Sequence, residues 1–321
     1  MELEHVKGNT WVLKDWEIIP LYKLDDHRCV LLDTGLAEQR EALDEALQRE
    51  GLVPVGVLCS HAHIDHMGNN AFFKEKYGTQ IAMSLGEAAH QFSYLAMGVP
   101  NYLLSVGDLE TSYTHGGTIH LSDRIILPTE DKIEFCGAEF EIVHTPGHTS
   151  DHICAKTPDD VLYLADAMMT GQTLHRSKFP YAYDMGAYLD SMRALRSVKA
   201  EKFVVAHYGI YDEILPLIDM EARFLRQRML DLLDLVEGYT TPKMMASAIC
   251  RTYRINAHSV RDLGYFEAAS LSYINYLREL GELEAYIEDN MILYRLTEQA
   301  KTRRARESDL PPTGLFGELL R

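Results

Sequence analysis

Between Ser60 and Gly68 the chain reads Ser60-His61-Ala62-His63-Ile64-Asp65-His66-Met67-Gly68, with three imidazoles and a carboxylate packed into one short run. An apolar, strand-like stretch precedes it, Val55-Gly56-Val57-Leu58-Cys59. His61 and His63 are two apart, so extended backbone at the strand end points both to one side. Asp65 and His66 fall where the chain turns into a helix and face a second point in space. One run can therefore serve two metal ions. Without a metal, such a cluster would repel itself on protonation and bury polar atoms at a cost. Imidazole and carboxylate suit zinc, iron or manganese, and the absence of thiolate leaves the choice among them open. Two such ions, about 3.5–4 Å apart, clamp the attacking and leaving oxygens of a displacement, and a zinc ion lowers the pKa of bound water to about 7. No Ser, Cys or Lys nucleophile is then needed.

Further His and Asp residues follow other strand-like runs. The run at 139–143 leads into His144-Thr145-Pro146-Gly147-His148-Thr149, Val161–Ala165 ends at Asp166, Phe203–Ala206 ends at His207, and Cys29–Leu32 ends at Asp33. Side chains at strand ends are positioned by a rigid sheet and stay open to substrate. Spacing alone does not choose between His144 and His148. Asp33-Thr34-Gly35 reads either as a helix cap or as support for the ligands.

The elements that must position these residues alternate along the first 210 residues. Strands are expected at 11–14, 16–24, 29–33, 55–60, 79–84, 139–143, 152–157, 161–165 and 202–206, and helices at 38–50, 68–77, 184–200 and 212–237. Residues 85–130 read as an insertion of helix and loop. This is an α/β layered pattern. A second unit begins near Gly238, where Thr241 is a candidate N-cap and Pro242 the first helical residue. Helices at 242–253 and 267–280, the latter ending at Gly281, precede a hairpin around Glu288-Asp289-Asn290. The residues from Lys301 read as a loose tail.

The HxHxDH run, the Thr-Pro-Gly-His-Thr turn, the Asp after an apolar strand and the late strand-end His together resemble the metallo-β-lactamase fold superfamily over about residues 10–225. The last part resembles the winged-helix-like extension of one branch of that superfamily. The resemblance implies an α/β four-layer αββα sandwich at 1–237, a small winged-helix-like α+β domain at 238–300 and a tail at 301–321. It implies that His61, His63 and His148 hold one ion, that Asp65, His66 and His207 hold the other, and that Asp166 bridges them. Asp65 and Asp166 would be the catalytic carboxylates. His144 would then pack near the strand end, while Asp33 and His152 would support the ligands from behind, as such residues do through the other ring nitrogen. The implied activity is hydrolysis of an ester, thioester, lactone or phosphodiester by a metal-bound hydroxide, with two divalent ions, zinc first and iron or manganese as alternatives. Flavodiiron relatives carry Glu where this chain has His63. Mononuclear-iron sulfur dioxygenases keep HxHxDH, so a redox reading stands beside the hydrolytic one. His175, Arg176, Lys178 and Tyr183, in a loop after Asp166, and Tyr208, next to His207, are candidates for binding a substrate carboxylate or phosphate.

Composition narrows the partners. The 321 residues carry 31 Lys+Arg against 48 Asp+Glu, a formal net charge of −17, and such a chain repels a phosphate backbone. A nucleic-acid binder working through the winged helix is the third reading. The basic residues of that unit are diluted by acidic ones, which favours a structural or homodimer-forming role and a small-molecule substrate. No apolar run reaches the ~18 residues of a membrane span, and the N-terminus lacks the pattern of a signal peptide. A cytoplasmic protein with five reduced thiols is expected.

Overall fold

The computed structural model describes residues 1–92, 121–236 and 240–307, without the side chains of Phe92, Arg261 and 303–307. Most of the expected insertion, the start of the second unit at Gly238 and the end of the expected tail lie outside the described residues.

Two sheets form the centre. The first has seven strands in the order β1 (Glu2–Lys7), β2 (Thr10–Lys14), β3 (Ile18–Lys23), β4 (Arg28–Leu32), β5 (Val53–Leu58), β6 (Gln80–Ser84) and β7 (Arg124–Ile126). The second has six, in the order β13 (Gly209–Tyr211), β12 (Lys202–Val205), β11 (Val161–Ala165), β10 (Ile153–Lys156), β9 (Ala138–His144) and β8 (Lys132–Phe135). Side-chain alternation sorts the residues of each strand into layers. In β4, Val30 and Leu32 face the opposite sheet while Cys29 and Leu31 face helices. In β11, Val161, Tyr163 and Ala165 face inward while Leu162 and Leu164 face the other helix layer. The first sheet is covered by α1 (Arg40–Arg49), α3 (Asn70–Tyr77) and α4 (Leu85–Phe92), with Leu43, Leu47, Phe73 and Ala88 in one core. The second is covered by α6 (Met185–Leu195) and α7 (Leu215–Leu235). The short helices α2 (Ile64–Met67) and α5 (Gly171–Ser177) lie between them in sequence. Four layers result, helix on sheet on sheet on helix. At about 1.5–3 kcal/mol for each fully buried large aliphatic or aromatic side chain, these apolar faces hold the layers together.

Each sheet brings parallel strands to the same edge. β4 pairs parallel with β5, and β11 pairs parallel with β12. Asp33, the 61–66 run, Asp166 and His207 all follow the carboxyl ends of these strands, where α/β folds leave a crevice. Two backbone hydrogen bonds stitch the sheets together at that edge. Ile18 N–H donates to Ala206 O (2.7 Å) and Ile153 N–H to Ser60 O (3.1 Å).

The C-terminal unit has α8 (Pro242–Thr252), α9 (Val260–Glu279), the hairpin β14 (Leu283–Glu288) and β15 (Met291–Leu296), and α10 (Glu298–Glu307). Thr241 caps α8 as expected, accepting from Met244 N–H. α9 starts seven residues earlier than expected because Ser259 caps it, accepting from Asp262 N–H (3.0 Å). Residues 298–307, expected to be partly loose, are helical, with Thr297 Oγ1 accepting from Ala300 N–H (3.1 Å). Met245, Ile249, Tyr273, Ile274, Leu277 and Leu283 join the apolar cluster that contains Leu162, Phe203 and Met185. The unit thus shares its core with the helix layer of the second sheet. Among the described residues no helix is long and apolar enough to cross a membrane.

Candidate metal centre

β5 ends at Leu58, and His63, in extended conformation, is the N-cap of α2. This one-turn helix carries Asp65 and His66. Gly68 lets it pack, since a Cβ there would meet Ile64 O at 2.6 Å and Gly35 O at 2.7 Å. The proton on His61 can be placed. Ser60 Oγ lies 2.6 Å from Asp33 Oδ2 and donates its hydrogen there, so His61 Nδ1 (2.9 Å away) must donate to Ser60 Oγ. His61 Nε2 is left with a bare lone pair. It lies 3.0 Å from His63 Nδ1, which lies 3.0 Å from His148 Nε2. Around a tetrahedral ion with bonds of about 2.05 Å, neighbouring donor atoms sit about 3.3 Å apart, which is close to these separations. His148 reaches this point from the turn after β9. A Cβ on Gly147 would meet Tyr188 N at 2.1 Å, so the turn sits directly on the N-terminal end of α6, where Asp184 N–H also donates to Gly147 O (3.0 Å).

The second group is built differently. His66 Nδ1–H donates to Asp33 Oδ2 (2.8 Å), and Asp33 also accepts from Ser60 N–H (2.7 Å) and Tyr163 Oη–H (2.8 Å). Asp33 is a buried support for His66 rather than a helix cap. His66 Nε2 is buried without a hydrogen-bond partner among the described residues. It faces Asp65 (4.0 Å) and Asp166 (3.6 Å), and His207 Nε2 faces the same carboxylates at 3.7 and 3.5 Å. Asp166 sits between the two groups, with Oδ2 3.3 Å from His148 Nε2 and Oδ1 toward His207. In each set, His61, His63, His148 with Asp166 and Asp65, His66, His207, the donor atoms lie within 4.8 Å of one another. An orphaned imidazole nitrogen and converging lone pairs are what a bound cation would satisfy, so the donors fit metal. Asp33, His61 and His66 also converge, but hydrogen bonds already occupy Asp33.

The electrostatics differ between the groups. Burial holds His61 and His148 well below the usual imidazole range, assisted by neighbouring imidazoles, which keeps them neutral. Burial also opposes charge on His66, but Glu17, Asp166 and Asp65 outweigh it and raise its pKa. At Asp166 burial opposes ionisation, and His207, His66 and His148 overcome it to hold the carboxyl well below its ordinary value. Backbone strain is present here too. Asp33 (φ 69°), Ala165 (φ 45°) and Tyr208 (φ 77°) are non-glycine residues with left-handed φ at or beside three of the strand ends, a cost found where a site is over-determined by its surroundings.

His152 is buried, with Nδ1 2.8 Å from Thr145 Oγ1 and its ring 5.0 Å from that of His61; burial pushes its pKa down to about 3. His144 Nε2–H donates to Glu130 O (3.0 Å), away from the cluster. The expected loop after Asp166 contains α5, capped by Thr170. This helix leaves His175 exposed, and Tyr183 opens onto a different cleft, with Tyr276 and Arg278. Arg176, Lys178 and Tyr208 do line the pocket beside Asp65 and His207. Two contributors were not singled out from sequence. The Trp16 ring stacks on His207 with centroids 5.0 Å apart, and Glu17, fully buried with neither oxygen hydrogen-bonded among the described residues, lies 3.6 Å from His66 Nδ1. Their signal was position, since both immediately precede β3, which meets the end of β12.

A sequence profile of the metallo-beta-lactamase superfamily matches residues 8–207. The chain belongs to that superfamily. It is 32% identical over 132 residues to a hydroxyacylglutathione hydrolase of Rhizobium meliloti (strain 1021), an alignment covering 41% of this chain and 40% of that protein. Alignments to the first-matched curated relatives span 40% to 62% of their lengths. Among solved structures it resembles a beta-lactamase domain protein from Burkholderia ambifaria (TM-score 0.71, 16% identity, 92% of this chain and 94% of that one). It also resembles a metallo-beta-lactamase family protein from Thermus thermophilus (TM-score 0.66, 19% identity, 92% and 98%). These last two show the superfamily's fold, over more of the chain than the profile covers.

Proposed function

We propose that this chain is a metal-dependent hydrolase that holds two divalent ions, one on His61, His63 and His148, the other on Asp65, His66 and His207, with Asp166 shared. The observation that carries the reading is the placement of Asp166 between two sets of converging donor atoms. Zinc fits these donors, and iron or manganese would use the same atoms. When bound, the ions supply Lewis-acid polarisation of a carbonyl or phosphoryl oxygen and activation of water. The chain's own residues prepare the site. Asp33 fixes the ring orientation and tautomer of His66, Ser60 does the same for His61, and Trp16 braces His207. Asp166, held ionised, supplies the negative charge that two cations require. Tyr208 and Arg176, which line the pocket beside Asp65 and His207, would meet substrate. Several relatives are named for hydrolysis of hydroxyacylglutathione, an acyl thioester, which favours a thioester among the ester, lactone and phosphodiester candidates. The test is turnover of that panel by protein stripped of metal and then reloaded with zinc, iron(II) or manganese. Metal-dependent hydrolysis of at least one class is expected. Two bound ions with no turnover on any of them would overturn the reading.

A further inference from the structure

A pocket of about 540 Å³ opens beside Asp65 and His207, within the size range of small-molecule sites. Its walls come from two parts of the chain. α5 and the sheet edge give Trp16, Arg176, Lys178 and Tyr208, and the C-terminal unit gives Arg254, Tyr265 and Phe266. Its charge runs against that of the whole protein. The chain has a net charge of −17, and many of its Lys and Arg side chains pair with carboxylates, as Lys7, Arg28, Lys156 and Arg196 do. Arg176 and Arg254 have no carboxylate partner among the described residues. Arg176 donates to the Tyr208 hydroxyl oxygen (3.5 Å). Among the described residues, Asp65 is the one carboxylate on the pocket wall, and it belongs to the His66 and His207 group. Lys178 has a different task. Its ammonium donates to the carbonyls of Tyr253 (3.2 Å) and Arg254 (3.1 Å), and so ties down the segment that carries Arg254. That segment is strained, with Arg254 at φ 52°, a conformation that persists where surroundings enforce it.

We propose that Arg176 and Arg254 together bind an anionic group, carboxylate or phosphate, on the substrate at a distance from the bond that is cleaved. Trp16, Tyr265 and Phe266 seat the apolar or planar portion between the two. The C-terminal unit then sets specificity, because Arg254, Tyr265 and Phe266 belong to it. Two guanidiniums without a carboxylate partner among the described residues suit a planar or tetrahedral oxyanion bound through paired N–H donors.

This rests on the hydrolase reading, so the experiment has two arms. In the first, metal-loaded protein is given matched acyl thioesters of N-acetylcysteamine (neutral), 3-mercaptopropionate (carboxylate) and 4′-phosphopantetheine (phosphate). At least ten-fold higher kcat/KM is expected for one of the two anionic substrates, which names the anion. Arg176→Gln and Arg254→Gln should each cut that preference at least five-fold, with the loss in KM. Hydrolysis of the neutral thioester with no anionic preference would overturn the proposal and leave the hydrolase reading standing. The second arm needs no turnover. Trp11 and Trp16 are the two tryptophans, so Trp11→Phe leaves Trp16 as the sole indole reporter. Titration with inorganic phosphate and with succinate should change its emission, and either Arg substitution should abolish the change. A Trp16 signal that ignores both anions, or that survives both substitutions, would overturn the proposal even if no thioester turns over.

Discussion

Asp166 and Glu221 are buried carboxylates on either side of the same turn, one on the sheet edge and one in the helix layer behind it. Glu221, on α7, accepts from Met169 N–H (2.8 Å), three residues past Asp166, and from the Tyr188 hydroxyl (2.6 Å). Its pKa is pushed up to about 8 by burial, opposed only in part by those two hydrogen bonds. Asp166 is held well below its ordinary value although burial acts on it in the same direction, because His207, His66 and His148 surround it. Burial alone makes a carboxyl neutral and structural, and imidazoles on three sides make it an anion ready for cations. The helix layer stabilises the turn, and the edge is the proposed metal site.

The largest effect should come from breaking the edge. Asp166→Ala should abolish metal-dependent turnover by more than the roughly 10–100-fold that loss of an outer supporting partner costs, and weaken at least one ion. The fold should survive, with the melting temperature of the metal-free form within about 4 °C of wild type, roughly 2–3 kcal/mol for a chain of this size. Metal-free forms must be compared because bound metal itself stabilises the native state. Wild-type turnover with two tightly held ions would refute the bridging role.

A second pair of variants sharpens the comparison within one motif. His148→Ala should lose metal and activity. His144→Ala, which gives up only a bond to Glu130 O, should keep most metal and cost about 1 kcal/mol. The opposite pattern would move the ligand by one motif position.

The smallest effect on turnover belongs to the helix layer, where the readout is stability. Between the ordinary carboxyl pKa near 4.5 and about 8, the unfolded chain ionises Glu221 while the folded protein keeps it neutral. Unfolding then releases a proton, so rising pH removes stability across that window and no more above it. Glu221→Gln preserves a neutral hydrogen-bonding group and abolishes this contribution. Urea midpoints of the metal-free proteins at pH 5.5 and 7.5 should therefore diverge, with the variant gaining about 2–3 kcal/mol relative to wild type at the higher pH. Parallel pH profiles would show that Glu221 is ionised in the native state.

What was legible in the sequence follows from locality. His61, His63, Asp65 and His66 declare themselves within one run, and Asp166 and His207 through apolar strands that end on them. Trp16 and Glu17 reach the site only because Ile18 hydrogen-bonds to Ala206 across the two sheets, a contact between residues far apart in sequence. The edge strand β1, Glu-Leu-Glu-His-Val-Lys, is largely exposed and carries no clear apolar alternation, so it passed unread. α9 was placed too late because Gly264 interrupts its early pattern, whereas the Ser259 cap decides its start. The unit after residue 238 reads as separate from composition, yet Tyr273 packs on Phe179 with ring centroids 4.5 Å apart. A turn-rich boundary in sequence does not reveal that the apolar cores on either side fuse.

If two sets of donors sharing Asp166 hold two ions, elemental analysis of purified protein, stripped with chelator, reloaded and freed of excess metal, will count them. About two transition-metal ions per chain are expected, falling to one or fewer in Asp166→Ala or His148→Ala. At most one ion per wild-type chain after reloading would contradict this expectation and turn the chemistry toward a mononuclear centre.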